Sequence, residues 1–287
     1  IKNKIIILGF GRSGTTWLSD IISKTLGGLI LFEPLHPKVL SNSKEIAYGK
    51  INGDKQSLQL IKHLNNVLEN NNRSDWLLRN HIPYKIEEMG QDYFNLIWNY
   101  CRIIGFKSIR ANHMIEWIYH NISKDIIFVT RHPCAVIASI LRREKNGHKF
   151  WEFGWPRTYE IFINNTIYKD DTLHQFQTLE KEINNYEHKI AFMWAISHYI
   201  AIKSLNKLNI PILFFENFYK KPFEGVKILM DYLGVKKSIH PSHIYSPSMT
   251  TSKTLHGLKK NKEDLIKRGS VAFWDDIINE KLLDEII

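Results

Sequence analysis

The stretch Lys4-Ile5-Ile6-Ile7-Leu8-Gly9-Phe10-Gly11-Arg12-Ser13-Gly14-Thr15-Thr16-Trp17 decides the architecture. Its first six residues form an apolar, β-branched run closed by glycine. That is the pattern of a strand covered on both faces of a parallel sheet. The glycines then turn the chain, and residues 14–26 read as a helix with Thr15 and Thr16 in its first turn. A glycine-rich turn that feeds a helix N-terminus is an anion site. Its backbone N–H groups converge there, and the helix dipole favours negative charge.

The same alternation continues outward. Residues 29–32, 102–107, 125–130 and 210–215 read as strands. Residues 57–68, 133–143, 187–208 and 222–233 read as helices, with Gly234 as a C-cap and a last helix from Asp275. The polar residues 65–74 read as a loop. Strands alternating with helices predict an α/β fold with a central, mostly parallel sheet flanked by helices. No compositional break divides the chain, so residues 1–287 read as a single domain with a variable insertion at about 146–182. Ligands of such sheets bind outside the carboxyl ends of the strands, which directs attention to the residue after each strand.

Composition narrows the functional classes. With 287 residues, 44% hydrophobic and 24% charged, the chain is neither collagen-like, disordered nor a disulfide scaffold. No run of about 18 apolar residues predicts a membrane span. The net charge of +10 favours anionic partners. Cys101 and Cys134 are too few for a disulfide framework or a four-ligand zinc site, which fits a reducing compartment. No helix-turn-helix, zinc-finger or RRM signature is present, so no nucleic-acid partner is expected.

Three anions fit the first loop. Gly9, Gly11 and Gly14 satisfy G-x-G-x-x-G, with Glu33 about 20 residues on, as a dinucleotide site would have it. Gly9, Gly14 and Thr16 fit an ATP or GTP loop, but Thr15 stands where that loop needs lysine, and no strand ending in a metal-binding Asp is obvious. The third reading places the positive charge on Arg12. A second loop separates these readings: Arg131-His132-Pro133 follows the strand 125–130, and Ser139 lies eight residues beyond Arg131. Pro133 suits a first helical turn. Two anion loops, each after a strand, match a nucleotide phosphorylated at both ends.

Arg12-Ser13-Gly14-Thr15-Thr16-Trp17 resembles the 5′-phosphosulfate loop of sulfotransferases that use 3′-phosphoadenylyl sulfate (PAPS). Arg131 and Ser139 resemble that family's 3′-phosphate motif, and the order of elements is similar through Phe214-Phe215-Glu216-Asn217-Phe218 and the helix after it. The resemblance implies a P-loop-like sulfotransferase fold. It also implies an enzyme that moves a sulfuryl group from PAPS to a hydroxyl, or an amine, of a glycan or small natural product. 3′-Phosphoadenosine 5′-phosphate (PAP) would be released. Fixed cations and N–H donors would stabilise the leaving phosphate, with no metal needed. A P-loop kinase and a non-catalytic binder of PAP or of a sulfated polymer stand as alternatives.

The resemblance also distributes roles. Arg12, Ser13, Gly14, Thr15, Thr16, Arg131 and Ser139 would hold the nucleotide, and Arg12 would also act in catalysis beside Glu33 and Lys107. Trp17 would either stack the adenine or pack its helix on the sheet. Ser252 and Lys253, in a late Thr/Ser-rich stretch, would close over the nucleotide. Lys107, which is 24 positions before Arg131, resembles the lysine near the bridging oxygen. The histidine that cytosolic small-molecule members carry two residues after that lysine is Ile109 here. Glu33, in Leu31-Phe32-Glu33-Pro34-Leu35-His36-Pro37, resembles the Phe-Glu-Pro-Leu stretch of carbohydrate sulfotransferases and becomes the expected general base, its pKa raised by apolar neighbours. His36 is a rival base or an acceptor contact. Arg110 either binds acceptor or forms a salt bridge. Trp151 and Trp155 either line the acceptor pocket or pack the insertion. The many Ile, Asn and Lys residues suggest an AT-rich, bacterial genome and a cytoplasmic protein. Because the chain opens at Ile1 without Met, the luminal domain of a trimmed membrane-anchored enzyme is the alternative.

Overall fold

The computed structural model describes residues 3–71, 74–78, 98–145 and 157–235. Among them, five strands form one sheet: β1 (Asn3–Gly9), β2 (Gly28–Phe32), β3 (Ile103–Ser108), β4 (Asp125–Thr130) and β5 (Ile212–Phe214). The order is β2-β3-β1-β4-β5, and every pairing is parallel. The helices are α1 (Thr15–Leu26), α2 (Gly53–Leu68), α3 (Ile115–Asn121), α4 (Pro133–Lys145), α5 (Arg157–Thr166), α6 (Tyr186–Leu208), α7 (Phe215–Lys220) and α8 (Pro222–Tyr232). Short helical turns lie at Ser43–Ile46, Asp75–Leu78 and Gln177–Glu182.

Strand periodicity explains the layers. Successive side chains of a strand point to opposite faces. Ile5 and Ile7 therefore join Ile30, Ile127 and Val129 under α1 and α8. Ile6 and Leu8 join Leu31, Phe106 and Phe128 under α2, α3 and part of α6. A third cluster, around Phe162, Val136, Ile140 and Met193, binds α4, α5 and α6. Residues 157–166, inside the expected insertion, thus contribute a core helix through Phe162 and Ile163.

Two expectations are corrected. Residues 65–68 belong to both an expected helix and an expected loop, and they are helical: α2 runs to Leu68, the end expected for the helix 57–68, because Leu64, Val67 and Leu68 are buried. Residues 210–215 do not all form a strand: β5 covers only Ile212–Phe214, and Phe215 already starts α7. Gly234 terminates α8 as expected, with φ of 65°. The Gly234 N–H donates to Asp231 O and the Val235 N–H to Met230 O, the paired bonds that close a helix on a left-handed residue.

Gly105 of β3 pairs with Ile5 of β1. A Cβ there would lie 1.8 Å from the Ile5 carbonyl oxygen. Gly105→Ala should therefore cost roughly 3 kcal/mol, the upper end for overpacking, because the obstacle is backbone. Urea denaturation checks this, and an unchanged midpoint would contradict it.

Candidate active site

The sheet order brings four loops together. β1 lies between β3 and β4, so the loop after β1 is flanked by the segments after both. Leu8 is level with Ser108, Gly9 with Val129, and Phe32 with Lys107. Glu33, Lys107, Arg12 and Arg131 therefore all emerge at one edge of the sheet.

The loop after β1 has the form of an anion cradle. Arg12 adopts a left-handed conformation with φ of 69°. Gly14 caps α1 with φ of 94°, and a Cβ on it would lie 2.3 Å from the Phe215 ring. The Ser13 hydroxyl is buried and meets no hydrogen-bond partner among the described residues. A buried hydroxyl without a partner is costly, and at a helix N-terminus an anion would satisfy it.

Cations gather beside this loop. Arg12 Nε donates to Ser139 Oγ at 2.9 Å, and Arg131 Nη1 donates to the Arg12 carbonyl at 3.4 Å. Burial and the like charges of Arg143 and Arg131 pull the Arg12 pKa down to about 10, so it remains a cation at neutral pH. The Arg131 guanidinium lies 5.0 Å from the Phe215 ring centre. His132 N–H, at the start of α4, donates to Glu216 Oε1 at 2.9 Å. Trp17 meets Phe215 and Phe218 edge-on, with ring centres 5.6 and 6.1 Å away.

Glu33 forms the other half of the site. It follows β2 with φ of 49°, left-handed and immediately before Pro34. Such backbone costs on the order of 1–3 kcal/mol and persists only where the surroundings fix it. Here Glu33 N–H donates to Lys107 O at 2.9 Å, and His36 N–H donates to Glu33 O at 3.0 Å. The side chain is 1% exposed. Its Oε1 pairs with Lys107 Nζ at 2.8 Å and its Oε2 with Arg110 Nη1 at 2.6 Å. Ile109 N–H reaches both oxygens, at 3.1 and 3.2 Å, and Ser108 Oγ donates to Oε2 at 3.4 Å.

The expected upward pKa shift of Glu33 is corrected by this arrangement. Burial does oppose ionisation, but Lys107, Arg110 and the hydrogen bonds outweigh it and hold the carboxyl below the usual glutamate range. His36 is 3% exposed and stacks on Trp76 with ring centres 3.8 Å apart. Its Nδ1 accepts from Lys38 N–H at 3.1 Å, so the neutral ring carries its proton on Nε2.

Thr15 is buried and Thr16 half-buried in the first turn of α1. Trp151, Trp155, Ser252, Lys253 and the helix expected from Asp275 lie outside the described residues. Sequence reasoning missed three neighbours of the site. Phe215 touches Gly14, Trp17 and Arg131; its place directly after β5 was the available signal. Arg143 is one helical turn beyond Ser139, a spacing that puts both on one face. Asn112 Oδ1 accepts from Gly9 N–H at 3.1 Å, a contact across more than a hundred residues that no motif announces.

The Sulfotransferase domain family matches residues 2–286. The chain belongs to that family. Among solved structures, the sulfotransferase domain of the Synechococcus PCC 7002 olefin synthase is similar at 16% identity and a TM-score of 0.46. That match covers 93% of this chain and 87% of the other. The sulfotransferase domain of the curacin biosynthetic pathway is similar at 16% identity and TM-score 0.46, covering 87% and 80%. A mouse sulfotransferase complexed with PAP is similar at 15% identity and TM-score 0.41, covering 99% and 82%. No curated protein sequence matches the chain. The family makes the chain a sulfotransferase enzyme. Among its described residues no helix is long and apolar enough to cross a membrane. No group of three or more His, Cys, Asp or Glu among them could hold a metal ion.

The buried ion cluster of this sulfotransferase sets a pH-dependent stability. Glu33→Gln leaves Lys107 and Arg110 facing a neutral amide and should cost roughly 3–5 kcal/mol at pH 7. Because the folded pKa lies below the unfolded value, that difference is full above the ordinary glutamate range. It shrinks as the pH falls through the lowered folded pKa. Denaturant midpoints of both proteins between pH 7 and pH 3 test this; a constant gap would contradict it.

Proposed function

We propose that this sulfotransferase moves a sulfuryl group from PAPS to a hydroxyl or amine of a glycan or small-molecule acceptor and releases PAP. The observation that carries the proposal is the meeting of the two strand-end loops, with Arg12 bonded to Ser139 and Arg131 bonded to the Arg12 carbonyl beside the buried Ser13 hydroxyl. Like charges brought this close repel, and an anion between two strand-end loops relieves that repulsion. A nucleotide with phosphate at both its 5′ and 3′ positions supplies two such anions.

When bound, the donor supplies a sulfuryl group already activated by its phosphate leaving group. The chain supplies the rest. Arg12, Ser13 and the N–H groups at the start of α1 hold the 5′ side. Arg131, Ser139 and Arg143 hold the 3′-phosphate. Lys107 neutralises charge as it develops on the leaving oxygen, the role that fixed cations fill well in a water-poor site. Glu33 takes the acceptor's proton. His36 is the weaker base candidate: its Nδ1 lone pair is engaged by Lys38 N–H, and its Nε2 already carries hydrogen.

Turnover of PAPS with a mixed panel of phenols, amines and oligosaccharides, followed by PAP release, tests the reading. Arg131→Ala and Arg143→Ala should each weaken PAP binding roughly 10- to 100-fold, as losing a charge-assisted hydrogen bond does. Glu33→Gln should lower transfer by about 10²–10⁴-fold while PAP still binds. Full transfer by Glu33→Gln would remove it as the base. No PAP release with any acceptor class would leave the protein a binder.

A further inference from the structure

The two cationic partners of Glu33 are not equivalent. Lys107, the penultimate residue of β3, carries its ammonium on a flexible four-carbon stem, 3.8 Å from the Phe32 ring centre. A lysine can exchange one anion for another by rotating that stem, with no backbone movement. Arg110 is held at every end. Its N–H donates to Ser108 Oγ at 3.2 Å, and its carbonyl accepts from Tyr48 N–H at 2.9 Å. Its side chain is 3% exposed, and Nη1 meets Glu33 Oε2 at 2.6 Å. Ser108 Oγ, which accepts from the Arg110 N–H, donates to that same oxygen. Arg110 thus acts on Oε2 directly and through Ser108, whereas Oε1 is bound by Lys107, and the Ile109 N–H reaches both oxygens.

We infer that Arg110 is a positioning residue of the transfer reaction: it keeps the Glu33 carboxylate ionised and oriented while Lys107 turns from Oε1 to the leaving phosphate. The inference rests on the reading of Glu33 as the base. It names the basic atom. Oε2 stays on Arg110, and Oε1, vacated by Lys107, receives the proton. The acceptor O–H bond breaks as its oxygen bonds to sulfur. The bond from sulfur to the phosphate oxygen breaks, and that oxygen leaves with its electron pair beside Lys107. The charged groups that act on Glu33 among the described residues are Lys107 and Arg110. Without Arg110, the carboxylate would keep no fixed countercharge among the described residues at the moment Lys107 departs. Burial would then drive it toward the protonated, inactive form.

The test is a carbon-13 titration of the Glu33 carboxyl in the full chain labelled at glutamate. Glu33→Gln assigns the signal. The titration is run on free protein and on protein saturated with PAP. In both, Arg110→Met should raise the midpoint by roughly 1–3 pH units, the effect of removing an adjacent opposite charge. Arg110→Lys should restore most of the difference, which a purely structural loss would not allow. With PAP bound, Lys107→Met should move the midpoint less than Arg110→Met does. Heat-induced unfolding with and without PAP verifies that each variant is folded, and Arg110→Gln replaces Arg110→Met if the latter is not. An unmoved midpoint in a folded Arg110 variant overturns the inference, as does a larger effect of Lys107 in the PAP-bound protein. Failure of PAP to bind would count against the donor assignment, and the titration of free protein still decides the role of Arg110. Full transfer by Glu33→Gln would refute the base assignment alone.

Discussion

The parallel register of β1 between β3 and β4 is the constraint on which the site depends. It puts Leu8 beside Ser108 and Gly9 beside Val129, so three consecutive loops open at one edge. The pairing of β2 with β3 then sets Phe32 level with Lys107. Glu33, one residue further, has no distance to cover to reach Lys107 and Arg110. Gly105 enforces the close approach of β3 to β1, since nothing larger than hydrogen fits against Ile5 O. Apolar packing on both faces fixes the register, and the register fixes the charges.

Those charges make the site expensive in isolation. Glu33 is buried in a left-handed conformation before a proline, and two cations are buried with it. Desolvation of such groups is repaid only by close contacts and full hydrogen bonding. Each Glu33 oxygen has a cation and an N–H partner, which meets that condition. The loop after β1 differs: Arg131 and Arg143 both act on Arg12 as like charges, and the Ser13 hydroxyl lacks a partner among the described residues. The Glu33 half of the site is satisfied by the chain's own groups.

Much of this was legible in the sequence, for identifiable reasons. β4 coincides with its expected range because the apolar run Ile126-Ile127-Phe128-Val129 is flanked by the polar Asp125 and Thr130. The loops after β1 and β4 are each a strand end followed by the next helical turn, so the residues that would form them lie close together in the sequence. The start of α2 was not legible: Gly53 opens it, helped by Asn52 N–H donating to Gln56 Oε1 at 2.6 Å, and glycine ordinarily argues against a helix. The direction of the Glu33 pKa was missed because its sequence neighbours, Phe32 and Pro34, are apolar. The cations that reverse the shift lie more than seventy residues away. Asn112 and Phe215 likewise join the site through the sheet order rather than through any local pattern.

The central claim is that two separate anion loops hold one nucleotide phosphorylated at both ends. Isothermal titration calorimetry of PAP against adenosine 5′-phosphate, in buffer without divalent metal, tests it most directly. The two ligands differ only in the 3′-phosphate, which Arg131, Ser139 and Arg143 would grip. PAP should bind at least about 100-fold more tightly, as two charge-assisted hydrogen bonds would give. Equal affinities would mean that the second loop holds no phosphate, and the account of the donor site would fall.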